Sequence, residues 1–593
     1  VSNPPTPRIP DPRHLANGRS IPAGYYADQP FVVHTDDGAW LNVVTTGVAH
    51  EGSSGQSVVA RRSTDRGVTW SDPVLLEPPG SPENSYAVLL KVPGGRIYVF
   101  YNYNIDNVRE IPANDPPYPG GRCRRVDSTG AFVCRWSDDH GRSWSKDRVV
   151  LPVREFVIDR ENNAPRGMRF FWNVGKPFIH AGAVYVTLHK VGPIGDDFFT
   201  RSEGVWLRSA DLLTAASPGV ARWETLPEGE IGLRTPPGGG PIAEEHCTVV
   251  LADNTFYTVY RSIDGHPVTA TSRDGGRTWS EPRYLAYADG RLVKHSRAAN
   301  FVWPCGEGRY LYWFHNHGGR NYDDRNPAWV CGGVEIDTPA GRTIAWGEPE
   351  ILLYEDDPLV RMSYPDLIIE DDGRHYVTET QKHYARVHEI PAALLDAVWY
   401  RPSRAEIRAA NRVLTHHDPA ASGATLAMPV LKPFLDRDWD SPDYGTKDLR
   451  TGFSLELWLQ PGASGVLLDN RTSDGRGFTL SIVEGILELR LSDGRTLSAW
   501  QSEPNRLTPE TPHHLVVVVD GGPKIISAVI DGRFCDGGAP RQFGWGRFNP
   551  HLQNVRGAPE LRVGVGVSVL RIFDAAIFTA DAGAHFRLGA RAL

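Results

Sequence analysis

A chain of 593 residues is longer than one hydrophobic core usually serves, which implies two or more domains. Its 40% hydrophobic and 23% charged residues, with 60 Gly, 47 Pro and 17 Trp beside three Met, fit a soluble all-β protein rich in turns. A net charge of −8 gives no pull toward nucleic acid or an anionic membrane, and no stretch is long and apolar enough to insert in one. An anionic substrate must therefore be held by local Arg and Lys. The start at Val1 reads as a processed secreted protein or a trimmed chain. Six Cys without a C-x-x-C zinc pattern are too few for a disulfide scaffold. Cys123 with Cys134, and Cys305 with Cys331, are candidate bridges, and buried free thiols are the alternative. The expectation is a secreted or periplasmic protein.

Three segments repeat one pattern: Ser63-Thr64-Asp65-Arg66-Gly67-Val68-Thr69-Trp70, Ser137-Asp138-Asp139-His140-Gly141-Arg142-Ser143-Trp144 and Ser272-Arg273-Asp274-Gly275-Gly276-Arg277-Thr278-Trp279. In a hairpin turn of this form Asp accepts from turn N–H groups, Gly takes positive φ, and Trp fills the space between sheets. The longer second interval leaves room for a worn copy, Arg208-Ser209-Ala210-Asp211 with Arg222-Trp223. The pattern resembles the Asp-box of sialidase-like β-propellers. With the strand signals it implies six blades over 28–80, 84–152, 170–228, 242–285, 295–355 and 362–392, within a catalytic domain of 1–400.

Residues 391–398 and 404–410 read as short helices, a polar run follows to 450, and 401–450 reads as a linker and the start of a second domain. Alternating strands then begin at Phe453-Ser454-Leu455-Glu456-Leu457-Trp458-Leu459 and continue through His513-His514-Leu515 to Leu570-Arg571-Ile572-Phe573. The series over 451–593 is similar to a laminin-G or concanavalin-like β-sandwich. Such a domain binds glycan or Ca²⁺, or simply packs on its neighbour, and the sequence leaves these open. No cofactor is required, and a structural Ca²⁺ is the one ion considered.

The resemblance also implies a site. Met362-Ser363-Tyr364-Pro365-Asp366 looks like the segment that carries the sialidase nucleophile, which places that role on Tyr364. Its phenolic proton needs a neighbouring carboxylate. Glu245 in Ile242-Ala243-Glu244-Glu245-His246 is the candidate, with Glu244 the alternative register. Of the three arginines that hold a sialidase substrate, Arg261 matches the second, and Arg320, with Arg297 as competitor, the third. Glu379 stands where family members keep an arginine-orienting carboxylate.

The first arginine is missing: Asp28, beside Gln29, occupies its position, and Arg8-Ile9-Pro10 comes too early. In the following loop His50 or Glu51 takes the place of the family's acid/base aspartate. Tyr86, Trp172, His246, His315 and His317 lie at other strand ends, as do Asn102, Asn104 and His189-Lys190. No H-x-x-x-H spacing marks a metal site. These features imply a carbohydrate-active enzyme on an oligosaccharide or polysaccharide. The first reading is an exo-acting retaining hydrolase for a terminal acidic or deoxy sugar other than ordinary sialic acid. The alternatives are a polysaccharide lyase and a non-catalytic glycan binder.

Overall fold

The computed structural model describes residues 9–162, 171–196, 198–399, 410–437 and 446–590. The protein is all-β and divides into two compact units. The first holds Gly18–Trp346 and Asp357–Ile390; the second holds Val1–Asn17, Gly347–Asp356 and Pro391–Leu593. This departs from the boundary expected at 400. The chain's beginning belongs with its end because Arg13 forks onto Asp520 at 2.7 and 3.0 Å. Tyr354 stacks on both the Arg13 and the Arg450 guanidinium.

Among the described residues, the first unit contains six antiparallel sheets of four or five strands. Their leading strands are Tyr26–His34, Asn84–Lys91, Phe171–Trp172 with Phe178–His180, Glu244–Val250, Phe301–Pro304 and Leu367–Ile369. One sheet falls in each of the six segments read from the strand signals. The last is completed by Arg19–Ile21, paired with Ala385–Glu389. A strand from the beginning of the unit thus covers an edge left at its end. Strands such as Ile97–Tyr103 and Ala183–Val191 are buried along their whole length, as expected of sheets covered on both faces.

The repeated turns share one hydrogen-bond scheme. Ser63, Ser137 and Ser272 hydroxyls donate to the Asp two residues on, at 2.7–2.8 Å, and accept the N–H of Gly67, Gly141 and Gly276. The same Asp residues accept the N–H and hydroxyl of Thr69, Ser143 and Thr278. Gly141 sits at φ +81°, where a Cβ would meet Leu41 at 2.4 Å. Trp70 packs among Val32, Trp40, Ile368, Tyr376 and Val387 of two sheets. The worn copy keeps the scheme: Ser209 donates to Asp211 at 3.1 Å, and Asp211 accepts the Arg222 N–H at 2.9 Å.

Among the described residues, the second unit contains a seven-stranded and a six-stranded antiparallel sheet that share one core, including Leu455, Leu457, Phe478, Leu480, Leu515 and Ile572. It starts earlier than the expected 451. Arg412–His417 pairs with Val567–Phe573, and Ala424–Ala427 with Glu560–Val563, so part of the presumed linker is strand. The helical reading of 404–410 falls almost wholly outside the described residues. All six cysteines are free thiols, so neither candidate bridge forms. Cys134 lies deep in its sheet, where burial pushes its thiol well up.

Candidate functional site

Four side chains in the first unit are presented by the same local device. Pairing slips by a bulge between Asp28 and Phe31, between Ser85 and Val88, and between Glu244 and Cys247. At each slip one non-glycine residue takes positive φ: Gln29 at 52°, Tyr86 at 59° and Glu245 at 62°. Tyr364, just ahead of Leu367–Ile369, does the same at 47°. Left-handed backbone costs an L-residue roughly 1–2 kcal/mol, and such strain collects where a side chain must be re-aimed.

The device brings Tyr364 and Glu245 together. The Tyr364 hydroxyl donates to Glu245 Oε1 at 2.8 Å across 119 residues of sequence. Arg261 Nη1 holds the other oxygen of Glu245 at 3.0 Å, while its Nε donates to Glu244 at 2.8 Å. The two glutamates thus divide the work: Glu245 faces the phenol and Glu244 grips the arginine. All four are buried. Burial raises Glu245 above the usual carboxylate range, with Arg261 opposing and Glu244 adding to the rise. Burial, then Glu245, pushes the Tyr364 phenol well above its ordinary value. The Glu245 N–H donates to His189 Nδ1 at 3.3 Å, which fixes the bulge from behind.

A further arginine, Arg325, borders Tyr364, and Arg297 adjoins Arg325. Arg325 Nη1 donates to Ser363 Oγ at 2.5 Å, and its Nη2 to the Arg297 carbonyl at 3.2 Å. Among the described residues it has no carboxylate partner, although it is buried. Burial pushes its guanidinium below the ordinary value, with Arg261 acting in the same direction. Arg297 lies 4.6 Å from the Tyr322 ring centroid, and Arg261 and Arg325 lie 5.8 and 6.0 Å from it.

On the other side of Tyr364 the charges interlock. Lys382 stands 4.5 Å from the Tyr364 ring centroid, 2.6 Å from Asp28 and 3.2 Å from Glu51. Asp28 also accepts the Tyr26 hydroxyl at 2.7 Å. Arg125 bridges Glu51 and Asp127 at 2.8 Å each, and Tyr86 donates to Asp127 at 2.5 Å. Burial alone would raise Glu51, but Lys382 and Arg125 override it and hold the group well below the usual carboxylate range. Asp28 goes the other way, raised chiefly by burial. Trp172 borders this region between Tyr86 at 5.9 Å and Arg261 at 5.9 Å. Arg125, Arg261, Arg325 and Lys382 thus face Asp28, Glu51, Asp127, Glu244 and Glu245.

Other expected site residues lie elsewhere. Arg320 is exposed and, among the described residues, has no hydrogen bond or ion pair with Tyr364, Glu245 or Arg261; Arg325, beyond the intervening turn and just before the next strand, stands there instead. His50 is exposed, whereas Glu51 turns inward. Glu379 is buried and accepts Gln381 at 2.8 Å, with His388 at 3.3 Å and Arg386 at 3.9 Å, so it braces its own hairpin rather than a site arginine. His246 stacks on Tyr260 at 4.1 Å beneath Gly204, and burial pushes its imidazole well down. His315 stacks on His295 at 5.7 Å, and His317 faces Asp324 at 3.4 Å. Gln29 is buried beside Asp28 with its amide unpartnered among the described residues.

Sequence reading missed Arg325, Lys382, Arg125, Asp127 and Tyr322. Lys382 had a local signal, since it follows Glu379 at the tip of the hairpin between His375–Thr380 and Ala385–Glu389. Arg125 and Asp127 had none, because they reach the site from a long loop between strands.

No protein-family model and no curated protein matches the chain. Among solved structures, a Dyadobacter fermentans protein of unknown function is 14% identical and spans 63% of this chain and 97% of its own, with a TM-score of 0.41. The Ruminococcus gnavus intramolecular trans-sialidase, solved with oseltamivir carboxylate, is 14% identical over 62% of this chain and 95% of its own, at 0.42. Trypanosoma rangeli sialidase is 12% identical over 95% and 94%, also at 0.42. At these scores the likeness is loose, and the functional reading stands on the site's geometry.

Proposed function

We propose that the first unit is a six-bladed, sialidase-like β-propeller acting as an exo-acting, retaining glycoside hydrolase, and that the second is a concanavalin-like sandwich offering further glycan contacts. The observation that carries this is the buried Tyr364–Glu245 pair, held by Arg261 and bordered by Arg325. Tyr364 Oη attacks the anomeric carbon as its proton passes to Glu245, and a glycosyl–tyrosine bond forms as the leaving oxygen departs. A neutral phenol suits an anomeric carbon that bears a carboxylate, because an anionic nucleophile would be repelled. Arg325, a buried cation without a carboxylate partner among the described residues, suits that acidic group.

Glu51 is the proton-transfer residue of this reading, since His50 points to solvent. Its contacts with Lys382 and Arg125 keep it ionised at rest. Glu51 takes up a proton from solvent as substrate binds, passes it to the leaving oxygen and, ionised again, draws a proton from the water that releases the sugar. Lys382 and Asp28 replace an arginine with a neutral pair, so the substrate is an acidic or deoxy sugar other than ordinary sialic acid.

A second reading is β-elimination beside a uronate. Tyr86 favours it, being a second buried phenol that accepts from Arg125 Nη2 at 2.8 Å. A panel of sialosides, rhamnosides, ulosonates and uronate polysaccharides separates the two. Hydrolysis yields a new reducing end alone, whereas elimination also yields an ultraviolet-absorbing unsaturated product. Binding without either product leaves a glycan-binding protein.

A further inference from the structure

Exposed apolar side chains gather at one edge of the site and take no part in the chemistry above. Tyr25 is 60% exposed, Tyr384 61% and Val48 86%, whereas most large apolar side chains of this unit are buried. The ladders place them side by side. Tyr26 pairs with Gly47, so Tyr25 and Val48 lie one step beyond that pair. Ala27 bridges Lys382 in antiparallel sense, which carries His383 and Tyr384 past Tyr25 on its other side. The His383 ring lies 4.7 Å from the Tyr25 ring, and its Nδ1 is 3.2 Å from the Tyr25 carbonyl. The Arg386 guanidinium backs the Tyr384 ring at 5.3 Å.

This strip is continuous with the site. Lys382, next to His383, contacts Asp28, Glu51 and the Tyr364 ring. Val48 lies in the same loop as Glu51. The strip therefore begins at the residue assigned to the leaving oxygen and runs outward from it.

We infer that Val48, Tyr25, His383 and Tyr384 form a subsite for the sugars on the leaving side of the scissile bond, and that the substrate is an oligosaccharide or longer glycan. Pyranose rings carry apolar faces edged with hydroxyls. Tyrosines with a flat ring and a polar tip, flanked by an imidazole and a guanidinium, match both surfaces. A wholly apolar partner would leave those polar groups unpaired. The assignment of the leaving side rests on the proposed role of Glu51.

The test is the double variant Tyr25→Ala/Tyr384→Ala in the full chain, compared on the glycosyl fluoride and the lactosyl glycoside of the terminal sugar that the panel identifies. KM for the lactosyl glycoside should rise roughly ten-fold, with the fluoride unaffected. Equal effects on both, or none, would overturn the subsite. A glycan array read with wild type and double variant needs no turnover. Wild-type binding that the variant loses supports the strip, whereas unchanged or absent binding removes it. Failure of the catalytic reading shows separately, as wild type turning over no glycoside while the array still reports the strip.

Discussion

Lys382 places its ammonium 2.6 Å from the Asp28 carboxylate, closing with an ion pair the position where the resemblance called for an arginine. Asp28 is fully buried, and Lys382 also holds Glu51 at 3.2 Å. Lys382→Met leaves Asp28 uncompensated, which should cost about 3–5 kcal/mol. The double variant Lys382→Met/Asp28→Asn should recover most of that loss, because the charge left behind is the main penalty. Urea denaturation of the two single variants and the double variant measures the coupling. Additive losses would show that the pair is not energetically linked.

Tyr364 and Glu245 lead to a prediction about turnover. Tyr364→Phe removes the nucleophilic oxygen and leaves the ring beside Lys382, so activity should fall by at least roughly 10³-fold with the fold intact. Activity is read on the best panel substrate and the fold by circular dichroism. Retained turnover would remove Tyr364 as nucleophile.

The pH profile should carry the signature of Glu245. It must be ionised to accept the phenolic proton, and burial raises its pKa above the ordinary carboxylate range. Glu51 must carry a proton in the same step although its partners hold it low, so kcat/KM should be level below the raised Glu245 value and fall with pH through a limb lying above the usual carboxylate value. Glu51, held low by Lys382 and Arg125, contributes no limb in that range. Glu245→Gln should abolish the limb along with most turnover. A kcat/KM profile flat from pH 4 upward would contradict the assignment.

The sequence made some of this legible and hid the rest for physical reasons. Asp65, Asp139 and Asp274 bond within their own turns, so spacing alone reveals them. Tyr364 and Glu245 sit at strand starts, where position along the chain converts into position at the site. Arg325 approaches from the far end of a loop whose near end holds Arg320, and a strand-end reading stops at the wrong one. Arg125 and Asp127 come from the long connection between Ile97–Tyr103 and Ala131–Ser137, whose path no periodicity encodes. The histidines misled because buried packing and catalysis favour the same residue. His246 and His315 are stacked rings, and among the described residues His246 has no hydrogen-bond partner on its ring nitrogens.

The turn repeats predict unequal costs. Asp139 accepts the N–H and hydroxyl of Ser143 and the hydroxyl of Ser137, so Asp139→Ala should destabilise the first unit by roughly 1–3 kcal/mol. Asp211 closes a looser version, with its Ser contact at 3.1 Å and its Arg222 partner exposed, and Asp211→Ala should cost clearly less. Thermal denaturation of the two variants side by side decides the order. Equal losses would mean that the worn copy is as firmly built as the others.

Glu350 sets the pH dependence of the second unit. Its carboxyl is buried and accepts the Ala580 N–H at 3.0 Å; burial pushes its pKa up to about 8, with Asp581 adding to the rise. The folded chain therefore keeps this proton at pH values where the unfolded chain has released it. Its contribution is fully present below the unfolded value near 4.5 and is lost as pH rises toward 8. Each pH unit in that window removes about 1.4 kcal/mol. Glu350→Gln fixes the neutral form, so its Tm should match wild type at pH 4 and exceed it at pH 8. Parallel Tm curves for the two proteins across that window would show that Glu350 ionises in the folded chain much as it does in water.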